Sequence, residues 1–547
     1  MASSTILHSI SLWLCAGALI ALTACGDGTQ SKSSSSTAAT AGQIVLNRGN
    51  GAEPKSLDPV FIDGIWEAQI AGDMLLGLTT EDAEGKPIPG AAESWDTSPD
   101  GLTWTFHLRE HTWSDGVPVK ADDFVFAWRR ILDPKTAAPY AYYLYPIKNA
   151  RAVNTGMMPA TELGVTAPDD KMLVVTLANP LPFMTEFLTH HTMVPSPRHA
   201  IESKGAEWSR PGNYLSNGSY ILREWIPNDH ITLVKNPKFY DAANVTIDVV
   251  NYYPTADGDA ALRRLRAGEL DTQDPIPPLQ IDFLRANMAD ALRITPTLTT
   301  SYVSINLTHK PLDDVRIREA MNLAYDREAM VERILKLGDV PAYNMVPPGT
   351  ANYPGGVAMR FKDMSFEQRL AKAQQLMSAA GYAPQKMLRL RFATTNNAVT
   401  RQTIAPLQEM WRKAYIDLEV AQSDTQINYQ KLQEGDFDVG TAGWVADYND
   451  PSNFLDVLRT GTGTNWANNY GRYSNKNYDA LLDKAAAERD LEKRGQMLAQ
   501  AEQMMLDDYP AVFVRFQTQP AIVQPYVKGW VPNSKQINRT RWLTVEK

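Results

Sequence analysis

Residues able to carry catalysis are scarce in this chain. Its only thiols are Cys15 and Cys25, both within the first 25 residues, so the rest of the chain has no cysteine nucleophile, no disulfide and no thiolate metal site. There is no G-x-S-x-G elbow and no H-E-x-x-H helix. His190, His191 and His199 form the one histidine cluster, but H-H-x7-H without acidic residues at ligand spacing reads better as a solvated loop than as a metal site. Asp122-Asp123 and Asp313-Asp314 suit helix starts better than acid/base dyads. What remains is Trp444-Val445-Ala446-Asp447-Tyr448-Asn449-Asp450-Pro451, which gathers rings, carboxylates and turn formers. Such a run suits recognition, although Trp444 could equally be core and Asp447 a cap.

The elements that must position this run are readable around it. Met387 to Thr394 reads as a strand, Arg401 to Ala414 as a helix carrying Ile404, Leu407 and Trp411, and Ile416 to Val420 and Phe437 to Gly443 as strands. This alternation predicts a parallel, doubly wound α/β sheet, in which ligands bind outside the carboxyl ends of strands. The run from Trp444 follows such an end directly. Upstream, Ser365 and Gln368 form a capping box and Gly381 closes the helix that follows. Thr103 to Leu108 alternates Trp104, Phe106 and Leu108 on one strand face. After a turn at Ser114-Asp115-Gly116, Asp122 and Asp123 open a helix with Phe124, Trp128, Ile131 and Leu132 on one stripe, Arg129 and Arg130 in its last turn and Pro134 beyond.

At 547 residues the chain exceeds one ordinary core and predicts about three or four domain-sized lobes. With 44% hydrophobic residues, 13 Trp and 22 Tyr it is globular, and no repeat suggests a solenoid. The formal charge of -9 argues against nucleic acid as a general partner.

Ile10 to Leu22 has the length of a signal-peptide core, too short to span a bilayer. The following Leu22-Thr23-Ala24-Cys25 resembles the lipobox of bacterial lipoproteins, in which cleavage precedes an acylated cysteine. Residues 1–24 would then be a signal, although MASSTILHSI lacks Lys and Arg, and residues 25–43 a lipid-bearing tether spanning about 23 Å. The resemblance implies a protein held at a cell-envelope membrane, the inner or the outer.

Six segments together resemble the periplasmic oligopeptide-binding proteins of the family-5 solute-binding class. The most specific is Leu102 to Pro134 (LTWTFHLREHTWSDGVPVKADDFVFAWRRILDP). The others are Glu53 to Pro59 (EPKSLDP), Ser216 to Tyr220 (SNGSY), Arg266 to Asp271 (RAGELD), Val315 to Ala320 (VRIREA) and Ala442 to Tyr448 (AGWVADY), colinear from about residue 44 to the end. The resemblance implies a type II-like periplasmic binding protein, with two hinged lobes and an extra inserted domain. Family boundaries carried onto this chain give domain I at 44–79, 204–298 and 515–547, domain II at 80–203 and domain III at 299–514.

By the same resemblance the protein is a monomeric, cofactor-free binder rather than an enzyme, capturing short peptides for an ABC permease and its ATPase. Asp447 would pair with the peptide amino terminus, Glu67 would be a second acid nearby, Trp444 would lie beside the ligand, and Tyr143 and Tyr302 would be aromatic neighbours. A binder indifferent to sequence should use the termini and backbone, leaving side chains in watery pockets. Other members of the class carry metal chelates, haem or sugars, and a receptor or chaperone could use the same jaw without transport.

The chain departs from the pattern at Thr441, where relatives have an arginine that receives the peptide carboxylate; threonine supplies neither charge nor fork. Arg401 or Arg333 could substitute, the ligand could be longer, or it could lack a free carboxylate there, as in a modified or cell-wall peptide. Some relatives also link the residue after the tryptophan to a cysteine of domain III; the matching positions here are Val445 and Thr299.

Overall fold

The computed structural model describes residues 42–274, 276, 280–461 and 468–547. The signal, Cys25 and the tether up to residue 41 lie outside the described residues.

The chain enters through strand β1 (Val45–Gly49) and helix α1 (Ile65–Met74). It then forms a separate antiparallel sheet of four strands, β2 (Ala92–Thr97), β3 (Thr103–Leu108), β4 (Val165–Asp169) and β5 (Met172–Thr176), in the order β2-β3-β5-β4. Phe106 and Leu108 are buried on β3, the face that its alternation predicts. Helix α2 (Ala121–Leu132) packs on this sheet. Asp123 fixes the start of α2 by accepting from Lys120 N (3.0 Å) and Trp113 Nε1 (3.2 Å), so one of the paired aspartates is a buried cap.

The main sheet follows. Its strands are β6 (Tyr220–Ile226), β7 (His230–Lys235), β8 (Val249–Tyr253), β9 (Thr272–Gln273), β10 (Leu292–Ile305), β11 (Leu388–Thr395), β12 (Ile416–Ser423), β13 (Val439–Val445) and β14 (Ala511–Val523), together with β1. With the short strand Val340–Pro341 on β14 it has 11 strands among the described residues, ordered β12-β11-β13-β10-β14-β9-β1-β8-β7-β6. Helices α3 (Phe366–Ala379), α4 (Ala398–Lys413), α5 (Thr425–Glu434) and α6 (Leu491–Asp507) connect and cover its later strands. At α3 the capping box is present: Ser365 Oγ accepts from Gln368 N (3.3 Å) and Gln368 Oε1 from Ser365 N (3.0 Å). Gly381 takes the left-handed φ of +91° that ends this helix.

The expected parallel sheet is found only in part. Strands β12, β11 and β13 are parallel, joined by crossovers through α4 and α5, but β10 and β14 run antiparallel to their neighbours. These two long strands bridge the sheet, since β10 pairs with β13 and β14 pairs with β9. The hydrophobic interior is likewise double. One buried cluster runs from Leu262 to Ile522; the other combines Leu46 to Tyr252 with Val523, Val527 and Leu543.

Candidate ligand-binding site

Strand β13 delivers the recognition run to the sheet end that the α/β rule indicates. Its last residues pair with β10, Trp444 opposite Thr300 and Val445 opposite Thr299. Where relatives of the class carry a linked pair, this chain thus has two cross-strand neighbours, with Val445 65% exposed. The chain past β13 is clamped from behind. Asn453 Oδ1 accepts from both Trp444 Nε1 (2.7 Å) and Asp447 N (3.2 Å). Asp450, fully buried, accepts from Ser452 N (3.0 Å) and Oγ (2.7 Å) and takes a bidentate pair from Arg494 of α6 at 2.6 and 2.8 Å. This fixes the backbone on both sides of Asp447.

The Asp447 carboxylate is not consumed by these bonds. It has no hydrogen-bond or ionic partner among the described residues, and burial raises its pKa from 3.8 to about 6. With Trp444, Tyr142, Tyr143 and Tyr448 it lines two cavities of about 410 and 650 Å³. The other acids lining them are all matched: Asp63 by Lys55 (3.1 Å), Glu81 by Arg539 (3.3 Å), Asp456 by Arg459 (3.1 Å) and Glu186 by Lys535. Asp447 is therefore the one lining carboxylate, among the described residues, without a cation. A desolvated, fixed carboxylate ringed by aromatic faces is a receptor for a cationic group of a ligand.

Tyr143 belongs to this wall. Its hydroxyl donates to Phe187 O (3.1 Å), and its ring stacks between Phe187 (4.6 Å) and His190 (4.1 Å). The histidines differ from the solvated loop expected. His190 and His191 pack ring on ring at 4.0 Å beside the larger cavity, and burial lowers the His191 pKa to about 4 and that of His190 well below its usual value. They are apolar wall material, because a neutral imidazole packs like an aromatic ring. His199 stands apart, 2.9 Å from Asp115, and no group of three metal-ligating side chains occurs among the described residues.

Glu67 lies elsewhere. It is 0% exposed in α1, and its oxygens accept from Lys55 N (2.6 Å), Asp63 N (3.1 Å) and Gly64 N (3.1 Å). It lines neither cavity. A fully buried carboxylate that holds three backbone amides ties down the 55–64 segment. Glu67→Ala is thus expected to cost about 2 kcal/mol or more of stability, read from chemical denaturation, by leaving buried amides unpaired. A variant as stable as the parent would contradict this structural role.

Tyr302 and Thr441 line a third cavity, of about 500 Å³. The Tyr302 hydroxyl is buried without a partner among the described residues. Thr441 Oγ1 lies 2.8 Å from Thr394 Oγ1, so the position that holds an arginine in the resembled proteins is here a pair of hydroxyls. Neither Arg401 nor Arg333 lines this cavity; both are exposed, and Arg401 turns its guanidinium back onto the Asn396 carbonyl. Sequence reading passed over Asn453 and Arg515. The last had a usable signal, a lone arginine inside the apolar strand Ala511-Val512-Phe513-Val514-Arg515-Phe516.

Comparison with known proteins agrees with this architecture. Residues 86–466 match the model for the middle region of bacterial extracellular solute-binding proteins, family 5. The periplasmic oligopeptide-binding protein OppA of Salmonella typhimurium is 36% identical over 490 residues, 89% of either chain. Among solved structures, the murein tripeptide-binding protein MppA in its unliganded open form gives a TM-score of 0.83 at 33% identity, covering 92% of this chain and 98% of that one. Haemophilus influenzae OppA in complex with RPPGFSPFR gives 0.74 at 34% identity, covering 92% and 99%. The two-lobed α/β binding-protein fold expected from the sequence is the fold found. On these grounds the chain belongs to family 5 of the bacterial extracellular solute-binding proteins.

Proposed function

We propose that this protein captures short peptides outside the cytoplasm, holding the ligand ammonium on Asp447, and delivers them to an ABC permease. The observation that carries this is the one lining carboxylate, among the described residues, that lacks a cation in an aromatic cavity. Peptide-binding relatives of similar fold support the ligand class. Their role is solute binding for transport, which favours a binder over an enzyme. Domains I, II and III with the boundaries given above are part of this reading; the separate β2–β5 sheet inside residues 80–203 supports the insert. So is a monomer acting alone on its ligand.

The test uses the pH dependence of binding. In the empty site the Asp447 carboxyl keeps its proton below about pH 6, and a peptide α-ammonium loses its own near ~8. Binding requires the carboxylate and the ammonium together. Affinity for a free-amino peptide should peak between these values and fall toward tenfold per pH unit on the acid side. Its acetylated analogue should bind weakly and show no such fall. Calorimetry giving equal affinity and equal pH profiles for the two peptides would remove the role of Asp447. The match to a murein tripeptide binder favours a cell-wall peptide as a second reading, checked by competition between murein tripeptide and ordinary tripeptides.

Attachment to the membrane by lipid at Cys25 completes the proposal, supported by the run Leu22-Thr23-Ala24-Cys25. Radioactive palmitate should label the protein, and Cys25→Ser should abolish the label. Label retained in the variant would refute the anchor.

A further inference from the structure

The cavity around Thr441 has lost its expected cation from β13, yet it is not without charge. Sheet register shows where that charge comes from. Gly443 of β13 pairs with Ser301 of β10, which in turn pairs with Arg515 of β14, one continuous row across three strands. Paired residues point to the same face of a sheet, as do residues two apart on one strand. Gln517 Nε2 donates to Ser301 Oγ (2.8 Å), which confirms the shared face for β14 and β10. Thr441, two residues from Gly443, belongs to that face too. Arg515 therefore approaches the space above Thr441 from two strands away, about 10 Å between backbones.

Arg515 is the one charged side chain lining this cavity among the described residues. Its Nη1 donates to Asp339, whose buried carboxylate also accepts from Thr518 N (2.8 Å) and Thr518 Oγ1 (3.2 Å). Its Nε and Nη2 donate to nothing among the described residues. Tyr302, the next residue of β10 after Ser301, lies on the opposite face by the same alternation, and the remaining polar walls of the cavity are neutral hydroxyls and amides. An oriented guanidinium with spare donors and no lining acid among the described residues make an anion receptor.

We propose that Arg515 receives the carboxylate of the ligand, with Asp339 as the positioning residue that aims the guanidinium. The assignment rests on the peptide reading above and sharpens it. The ligand is a peptide with both ends ionised, its ammonium at Asp447 and its carboxylate toward β14. The six residue steps from Thr441 to Asp447 span up to about 20 Å, which suits peptides of about four to six extended residues.

The test is calorimetry on the full protein with free-amino peptides of three to seven residues, each as carboxylate and as carboxamide. At the best length the carboxylate should bind at least tenfold tighter. In Arg515→Gln/Asp339→Asn, which removes both charges and strands neither, the two forms should bind within twofold. Arg515→Lys keeps a charge opposite Asp339 but loses the fork, and should show an intermediate ratio. Equal or tighter binding of the amides at every length in the parent protein overturns the assignment. So does a folded double or lysine variant that keeps the full tenfold preference. If peptides with neither ending bind, the peptide reading itself fails; if both endings bind alike, only Arg515 loses its role.

Discussion

Asp447→Ala is expected to weaken binding of free-amino peptides by on the order of 100-fold, about 3 kcal/mol, while leaving their acetylated analogues nearly unaffected. The size follows from the environment of the carboxylate. It is fixed by a backbone bond to Asn453 and desolvated, and the other carboxylates that line the cavities among the described residues are already held by Lys55, Arg459, Lys535 and Arg539. Removing it would leave a buried ammonium unpaired. Asp447→Asn separates charge from size and should lose nearly as much. Stability should move the other way. A carboxyl whose folded pKa lies above its unfolded value is a cost to the folded state that grows as pH rises from about 4 through about 6 and is fully present at pH 7. The alanine variant should then be at least as stable as the parent at neutral pH. Variants that bind free and acetylated peptides within threefold of the parent would sink the proposal.

Asp450, three residues on, should behave in the opposite manner. Asp450→Ala strands the Arg494 guanidinium in a site where the pair is almost wholly shielded from water, and should cost about 3–5 kcal/mol. The double change Asp450→Asn/Arg494→Met should recover much of that loss, because the penalty lies in the uncompensated charge rather than in the absent attraction. Arg494 also stands over the Phe183 ring (5.3 Å), which stacks on Tyr448 (4.7 Å), so the pair braces the loop that presents Asp447. Denaturant titration of the three proteins measures the effect. A single variant losing less than about 1 kcal/mol would show that the pair is not structural.

Local features of the fold were legible in the sequence and long-range ones were not. Helices α2 and α3 lie within a residue or two of where their caps and apolar stripes put them, and the β11-α4-β12 alternation follows the predicted order. The antiparallel strands β10 and β14 were not foreseen, because residues 292–305 and 511–523 find each other across some 200 positions and hydropathy carries no record of the partner. At the site, Trp444 and Asp447 were visible as a motif at a strand end. The environment of Glu67 was not, since Trp66-Glu67-Ala68 says nothing about which amides surround the carboxylate. The same limit hid the pairing of His190 with Tyr143 and the approach of Arg515 to Thr441, both products of register and packing rather than of spacing.

The exposure of Val445 has a practical use. It lies between Trp444 and Asp447 in sequence, directly across from Thr299, on a chain that has no thiol after Cys25. A cysteine introduced there would be the single attachment point on the folded part of the protein for a thiol-reactive dye, seated at the rim of the ligand cavity. The position that some relatives use for a covalent link thus becomes, in this chain, a natural handle for an optical sensor of its own ligand.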